Sequence, residues 1–208
     1  MFMEKSGNEF LNLLSSAAPV PGGGGASAFV GAMGVALASM VANLTSGKKK
    51  YADVQADIDR IIKKADGLRN ELTSLVEKDA EVFEPLSRAY SLPKENEAER
   101  KIKDETMESA LKSACEVPLE IMLKVVEAMD LHEELAKKGT RIAVSDVGVG
   151  AAFCKSALMG ASLNVFINTK LMKNRQYAEE VNQKTEAILS EGIAKADNIY
   201  RQVEAAVR

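Results

Sequence analysis

The sequence predicts an all-α fold, a bundle of long helices packed around two central helices built of small residues. Three observations carry this expectation. After a glycine run, Gly24, Ala28, Ala32 and Ala36 recur every four residues, and Ala152, Ser156, Gly160, Asn164 and Asn168 repeat the spacing further on. On a helix such spacing stacks residues with little side chain into one ridge, which neighbouring helices can approach closely. Between these two stretches, Ile58, Ile61, Ala65, Leu68, Leu72, Leu75, Asp79, Val82 and Leu86 are separated by alternating steps of three and four, the mark of a helical seam. Finally, no useful length of the chain alternates apolar with polar residues. Aromatic residues make up only 5% of it, whereas strands favour aromatic and β-branched side chains. A chain of 208 residues with no low-complexity linker is expected to be one domain, spanning 1–208 and large enough to bury a core.

Each element has its own signal. Glu4 to Ala17 reads as a short amphipathic helix with Phe10, Leu11 and Leu14 on one side, stopped by Pro19. The first small-residue helix follows Gly22–Gly25 and ends near Gly47; a second ridge on it carries Ser27, Gly31, Val35, Ser39 and Asn43. The run from Ala26 to Leu44, followed by Lys48–Lys50, also has about the 20-residue length of a membrane span. It is rich in alanine and glycine rather than leucine, carries Ser27, Ser39 and Asn43, and nothing else in the chain resembles a span, so a buried core helix is expected. Glu4, Lys5 and Glu9 interrupt the first residues, which therefore lack the apolar core of a secretory leader.

Tyr51 to Ala89 is the seam helix, with Pro85 bending its last turn, and Ser91–Asn96 is a connection around Pro93. A second long helix, Glu97 to Asp130, turns Ile102, Leu111, Ala114, Ile121, Val125 and Met129 inward. Pro118 within it should kink it and free a carbonyl near Ala114, because proline has no N–H to donate. The single histidine, His132, falls in a short charged helix beside Glu133 and Glu134 and reads as surface. Ser145 and Asp146 suit the cap of the second small-residue helix, and Gln176 to Val207 closes the chain with Tyr177, Val181, Ile188, Ile199 and Val203 inward.

Composition narrows the chemistry. A net charge of −3 does not favour nucleic acid as a partner, and Cys115 and Cys154, with no CxxC pair and no histidine cluster, fit buried reduced thiols in a cytoplasmic protein rather than a metal site. The glycine run lacks the Gly-Lys-Ser/Thr of a P-loop, and a helix rather than a strand precedes it, so no nucleotide motif is present. Asp79 stands out as the one charged member of a nine-position apolar seam. A desolvated carboxylate has a raised pKa and suits proton transfer; a structural aspartate satisfied across the seam fits the same position. Asp146 is explained by capping, Asn164 and Asn168 by packing or by ligand contact, and Lys48–Lys50 by a solvated helix end or a polyanionic tail. N–H groups at the glycine-rich helix start suit a carboxylate or another anion.

The order of these pieces adds a resemblance. Pro21-Gly22-Gly23-Gly24 before a small-residue helix with Ser27, then Lys78-Asp79-Ala80, Val117-Pro118-Leu119, Ser145-Asp146-Val147, and Asn164-Val165 followed by Ile167-Asn168, is similar to the cyclodeaminase/cyclohydrolase family over about Phe10 to Tyr200. That family comprises the cyclodeaminase domain of formiminotransferase-cyclodeaminase and free-standing bacterial methenyltetrahydrofolate cyclohydrolases, sometimes called serine-cycle enzymes. Thr140 after Gly139 departs from its pattern, where Gly-Asn is expected.

The resemblance implies an all-helical homodimer with a tetrahydrofolate site near the subunit interface and no prosthetic group or metal. Read together with the residues themselves, it makes Asp79 the expected catalytic acid/base, and Gly23, Gly24, Ser27, Lys48, Asp146, Asn164 and Asn168 the expected substrate-binding residues. The expected reaction is hydrolysis of 5,10-methenyltetrahydrofolate to 10-formyltetrahydrofolate. Two other functions fit: a cyclodeaminase releasing ammonia from 5-formiminotetrahydrofolate, and a non-catalytic helical dimer that binds folate, polyglutamylated or not, or another protein.

Overall fold

A computed structural model describes all residues, 1–208, and contains helices and no strands. Six α-helices follow in order: α1 Gly7–Leu14, α2 Gly23–Thr45, α3 Gln55–Tyr90, α4 Glu97–Lys138, α5 Val144–Leu171 and α6 Arg175–Val207, joined by short 3-10 turns and loops. The small-residue helices α2 and α5 lie at the centre. Helix α2 packs on α3, α4 and α5, while α5 packs on α2, α4 and α6.

Glycine makes the central crossing possible. A Cβ on Gly31 would stand 2.7 Å from Val125 Cγ1, one on Gly34 would stand 2.7 Å from Cys154 Sγ, and one on Gly160 would overlap the Ser27 hydroxyl. Pairing Gly23 with Asn164, Ser27 with Gly160 and Gly34 with Cys154 shows that α2 and α5 run antiparallel along their length. Both helices, α2 alone and α5 with the turn before it (Arg141–Leu171), are long and apolar enough to cross a membrane. The expectation that no second stretch resembles a span therefore fails. Both helices owe their composition to their central place in the bundle, where each meets three other helices.

Around this pair, the α3 seam is buried from Ile58 to Leu75 and again at Leu86, while Asp79 and Val82 are only half-buried. Phe10 is buried against Phe29, with ring centroids 5.0 Å apart, but Leu11 faces solvent; α1 is shorter than expected, opened by a Ser6–Glu9 capping box. Ile102 is also exposed, because the first turns of α4 project beyond the bundle core.

Three expectations about α4 and α5 are corrected. Helix α4 does not stop at Asp130 but runs to Lys138, with Pro118 inside it. His132 is consequently not a surface residue: it is fully buried, and its Nε2 donates to the Gly34 carbonyl at 3.0 Å. The ring fits because Gly150 has no side chain; a Cβ there would lie 2.5 Å from Nε2. The neighbouring glutamates obscured this, since they occupy the next positions around the helix and face outward. Ser145 and Asp146 do not cap α5. That helix starts at Val144 with Ala143 at the cap position, so both lie within its first turn. On α5 the packed face is Val147, Ala151, Cys154, Ala157, Ala161 and Val165, whereas Ser156 is exposed and the two asparagines stand half-buried at the edge.

Candidate active site

Where α2 begins, α3, α4 and α5 converge on a cavity of about 250 Å³. Gly23 and Gly24 form one wall from the first turn of α2, with Asp79, Val82 and Phe83 on α3 opposite. Pro118 and Ala114 on α4 and Asn164, Ile167 and Asn168 on α5 complete it. Asp79 is the only ionisable residue of the lining.

Asp79 is held by the start of α2. The first N–H groups of a helix have no partner within it, and they carry the positive end of the helix dipole. Here the Gly25 N–H donates to Asp79 Oδ2 at 2.8 Å. The anion that the glycine-rich helix start suits is thus, at Gly25, the protein's own carboxylate. Gly24 has to be glycine for this approach, since a Cβ would lie 2.5 Å from both Cγ and Oδ2 of Asp79. Burial pushes the Asp79 carboxyl above the ordinary carboxylate range, and the Gly25 hydrogen bond opposes that rise. No cation offsets it: the adjacent Lys78 turns away to Glu120, 2.9 Å from its Nζ.

The asparagines are fixed by backbone carbonyls. Asn164 Nδ2 donates to the Gly160 carbonyl at 2.9 Å, and Asn168 Nδ2 donates across to the Ala114 carbonyl at 3.0 Å. The Ala114 carbonyl is the one that Pro118 leaves without its helical donor, four residues on. The freed carbonyl expected at the sequence level is present, and an α5 side chain takes it.

The other candidates lie elsewhere. Ser27 is buried beneath the cavity, its hydroxyl donating to the Gly23 carbonyl at 2.7 Å, and it supports the wall rather than lining it. Lys48 and Asp146 are not brought to the cavity at all. Asp146 is 18 positions before Asn164 on one continuous helix; at 1.5 Å per residue that is roughly 27 Å away. Lys48 follows the far end of α2, with Nζ 3.5 Å from Thr140 Oγ1. Thr140, the position that departs from the family pattern, is tied there as well: its N–H donates to Thr45 Oγ1 at 2.8 Å. Sequence reasoning missed Phe83, which stands one helical turn after Asp79 and forms the aromatic part of the wall. Its signal was that i+4 spacing from a seam aspartate. No group of three or more His, Cys, Asp or Glu side chains comes together anywhere in the chain to offer a metal site.

Comparison with known proteins agrees with this architecture. The sequence pattern of the formiminotransferase-cyclodeaminase family matches residues 6–187. A methenyltetrahydrofolate cyclohydrolase of Methylorubrum extorquens is 43% identical over 206 residues, covering 97% of this chain and 99% of that protein. The formimidoyltransferase-cyclodeaminase of Rattus norvegicus is 30% identical over 203 residues, and the match spans 98% of this chain but 38% of that longer protein. The crystal structure of formiminotetrahydrofolate cyclodeaminase from Thermotoga maritima superimposes with a TM-score of 0.82 at 31% identity, covering 99% of this chain and 97% of that one. The chain is a member of the formiminotransferase-cyclodeaminase family.

Proposed function

We propose that this chain is a methenyltetrahydrofolate cyclohydrolase and that Asp79 is its general acid/base. The observation that carries the proposal is the lone carboxylate in the cavity: half-buried, raised in pKa, held by the Gly25 N–H, and with no cation beside it. The cyclohydrolase of M. extorquens, matched end to end, supports the choice of reaction. The methenyl bridge of the substrate is cationic, and an ionised Asp79 in a low-dielectric cavity stabilises it. As water adds to the methenyl carbon, the carboxylate takes one proton from it. As the bond from that carbon to N5 breaks, Asp79 returns the proton to N5. The hydroxyl proton leaves to solvent as the carbonyl forms, giving 10-formyltetrahydrofolate. A carboxyl whose pKa is raised by burial is better matched to both transfers than an ordinary aspartate.

Sites that engulf a whole drug-sized ligand measure roughly 300–1,000 Å³. At about 250 Å³ this cavity suits the ring system and leaves the acidic tail outside. The relatives include cyclodeaminases, which form the same kind of tetrahedral carbon and expel ammonia. Purified protein should hydrolyse 5,10-methenyltetrahydrofolate and release no ammonia from 5-formiminotetrahydrofolate. The reverse pattern would assign it as a cyclodeaminase. Tight folate binding without turnover of either substrate would make it a binding protein.

The functional unit we propose is a homodimer, in keeping with the apolar side chains that α2 and α5 leave uncovered. Met33, Met40 and Leu44 on α2, and Val149, Met159 and Leu163 on α5, are all more than a third exposed. Ile167, 54% exposed on the same helix, also lines the cavity, so the uncovered face reaches the site. Cys115 and Cys154, both buried and unpaired, suit a reducing, cytoplasmic setting.

A further inference from the structure

Asn168 and Asn164 each use one amide N–H on a backbone carbonyl, which fixes the side chain and leaves Oδ1 and the second N–H. An amide has an acceptor oxygen and a donor nitrogen, and a carbonyl only accepts, so the atoms facing the Ala114 and Gly160 carbonyls must be the nitrogens. For Asn168 the orientation is set firmly, because Pro118 supplies no N–H to the Ala114 carbonyl and the side chain is its hydrogen-bond donor. Oδ1 of each asparagine accepts no hydrogen bond from the protein, and neither oxygen is a buried orphan. Both residues line the cavity, one helical turn apart on α5. The side chains around the cavity therefore offer three acceptor groups, the two amide oxygens and the Asp79 carboxylate, beside the second N–H of each amide.

Building on the folate function proposed above, we infer that Asn168, assisted by Asn164, is a specificity residue whose Oδ1 accepts a hydrogen bond from the donor edge of the substrate's ring, the 2-amino and N3–H groups. Pro118 acts through it, by leaving a carbonyl that holds the amide nitrogen and turns the oxygen toward the ligand. A ring that presents an acceptor to Oδ1, or that lacks the amino group, would leave a fixed acceptor without its partner.

The test uses two probes differing in one group, tetrahydrofolate and its 2-desamino-2-methyl analogue, titrated by calorimetry against the full chain. The wild type should prefer the amino compound by about tenfold, the usual weight of one hydrogen bond whose loss leaves an acceptor unpaired. Asn168→Ala should bring the two affinities within about twofold of each other, and Asn168→Asp, both of whose oxygens accept, should restore most of the preference. A purely structural role predicts otherwise: aspartate cannot donate to the Ala114 carbonyl, so Asn168→Asp would be as unstable as Asn168→Ala, and neither would change the ratio. A wild type that binds both probes equally, or an Asn168→Ala protein that keeps the preference, overturns the inference while leaving the folate function standing. Failure of the wild type to bind either probe overturns that function, and the inference with it.

Discussion

Asp79 and His132 are both titratable side chains set among the packed helices, and both are pushed by burial toward their neutral forms. Desolvation raises Asp79, and it lowers His132 to about 4. What separates them is what their free atoms meet. Asp79 has one oxygen on the Gly25 N–H and stands at the wall of a cavity. His132 has Nε2 on the Gly34 carbonyl, and its Nδ1 is buried with no partner. Burial thus perturbs a pKa both at the cavity and in the packed core, and the cavity group is the one with room beside it for a substrate. In each case a glycine creates the space: Gly24 against the carboxylate, Gly150 against the imidazole.

Substituting those glycines breaks the comparison at either end. Of the two glycines, Gly24 should give the larger effect on activity when replaced by alanine (Gly24→Ala). Its Cβ displaces a carboxylate that can swing aside, so the fold survives while turnover falls by about a hundredfold, the scale of a lost general acid/base. Steady-state kinetics beside a thermal melt would check this, and near-normal turnover would place the reacting carboxylate elsewhere.

The histidine should instead appear as a pH dependence of stability. Its folded pKa of about 4 lies below the ordinary value of 6.5, so the unfolded chain binds the proton first. The stability contribution is complete above pH 6.5 and is lost as pH falls toward 4, in total roughly 3 kcal/mol. Denaturant melts across that window should show His132→Gln with a correspondingly flatter profile than the wild type, and parallel profiles would refute the assignment. Smaller again is Gly150→Ala, where overpacking against a ring that cannot move costs about 1–3 kcal/mol. Calorimetry should show a fall of several degrees in Tm, with turnover per folded molecule unchanged.

Much of the fold was legible in the sequence because helix periodicity and small-residue spacing are local. The seam of α3 is buried from Ile58 to Leu75 and at Leu86, and its break at Asp79 and Val82 coincides with the cavity. The carbonyl freed by Pro118 was likewise foreseeable from one residue's missing N–H. What failed depends on partners distant in sequence. His132 is buried because Gly34 and Gly150, on two other helices, make room for it, and no property of Glu133 or Glu134 reveals that. Lys48 and Asp146, expected to bind substrate with the cavity residues, sit in this chain at the other end of the antiparallel α2–α5 pair, since chain order says nothing about which end of a helix faces a site. The glycine run read as an anion site, and only the folded arrangement shows Asp79 as an anion it holds.

In the function proposed here, Asp79 carries the protons. The most direct measurement compares turnover of 5,10-methenyltetrahydrofolate with tetrahydrofolate affinity in Asp79→Asn, which keeps the side chain's shape and an oxygen for the Gly25 N–H. The fold should be unchanged, affinity should stay within a few-fold of wild type, and turnover should fall by about a hundredfold or more. Near-normal turnover in the folded Asp79→Asn protein would contradict that role.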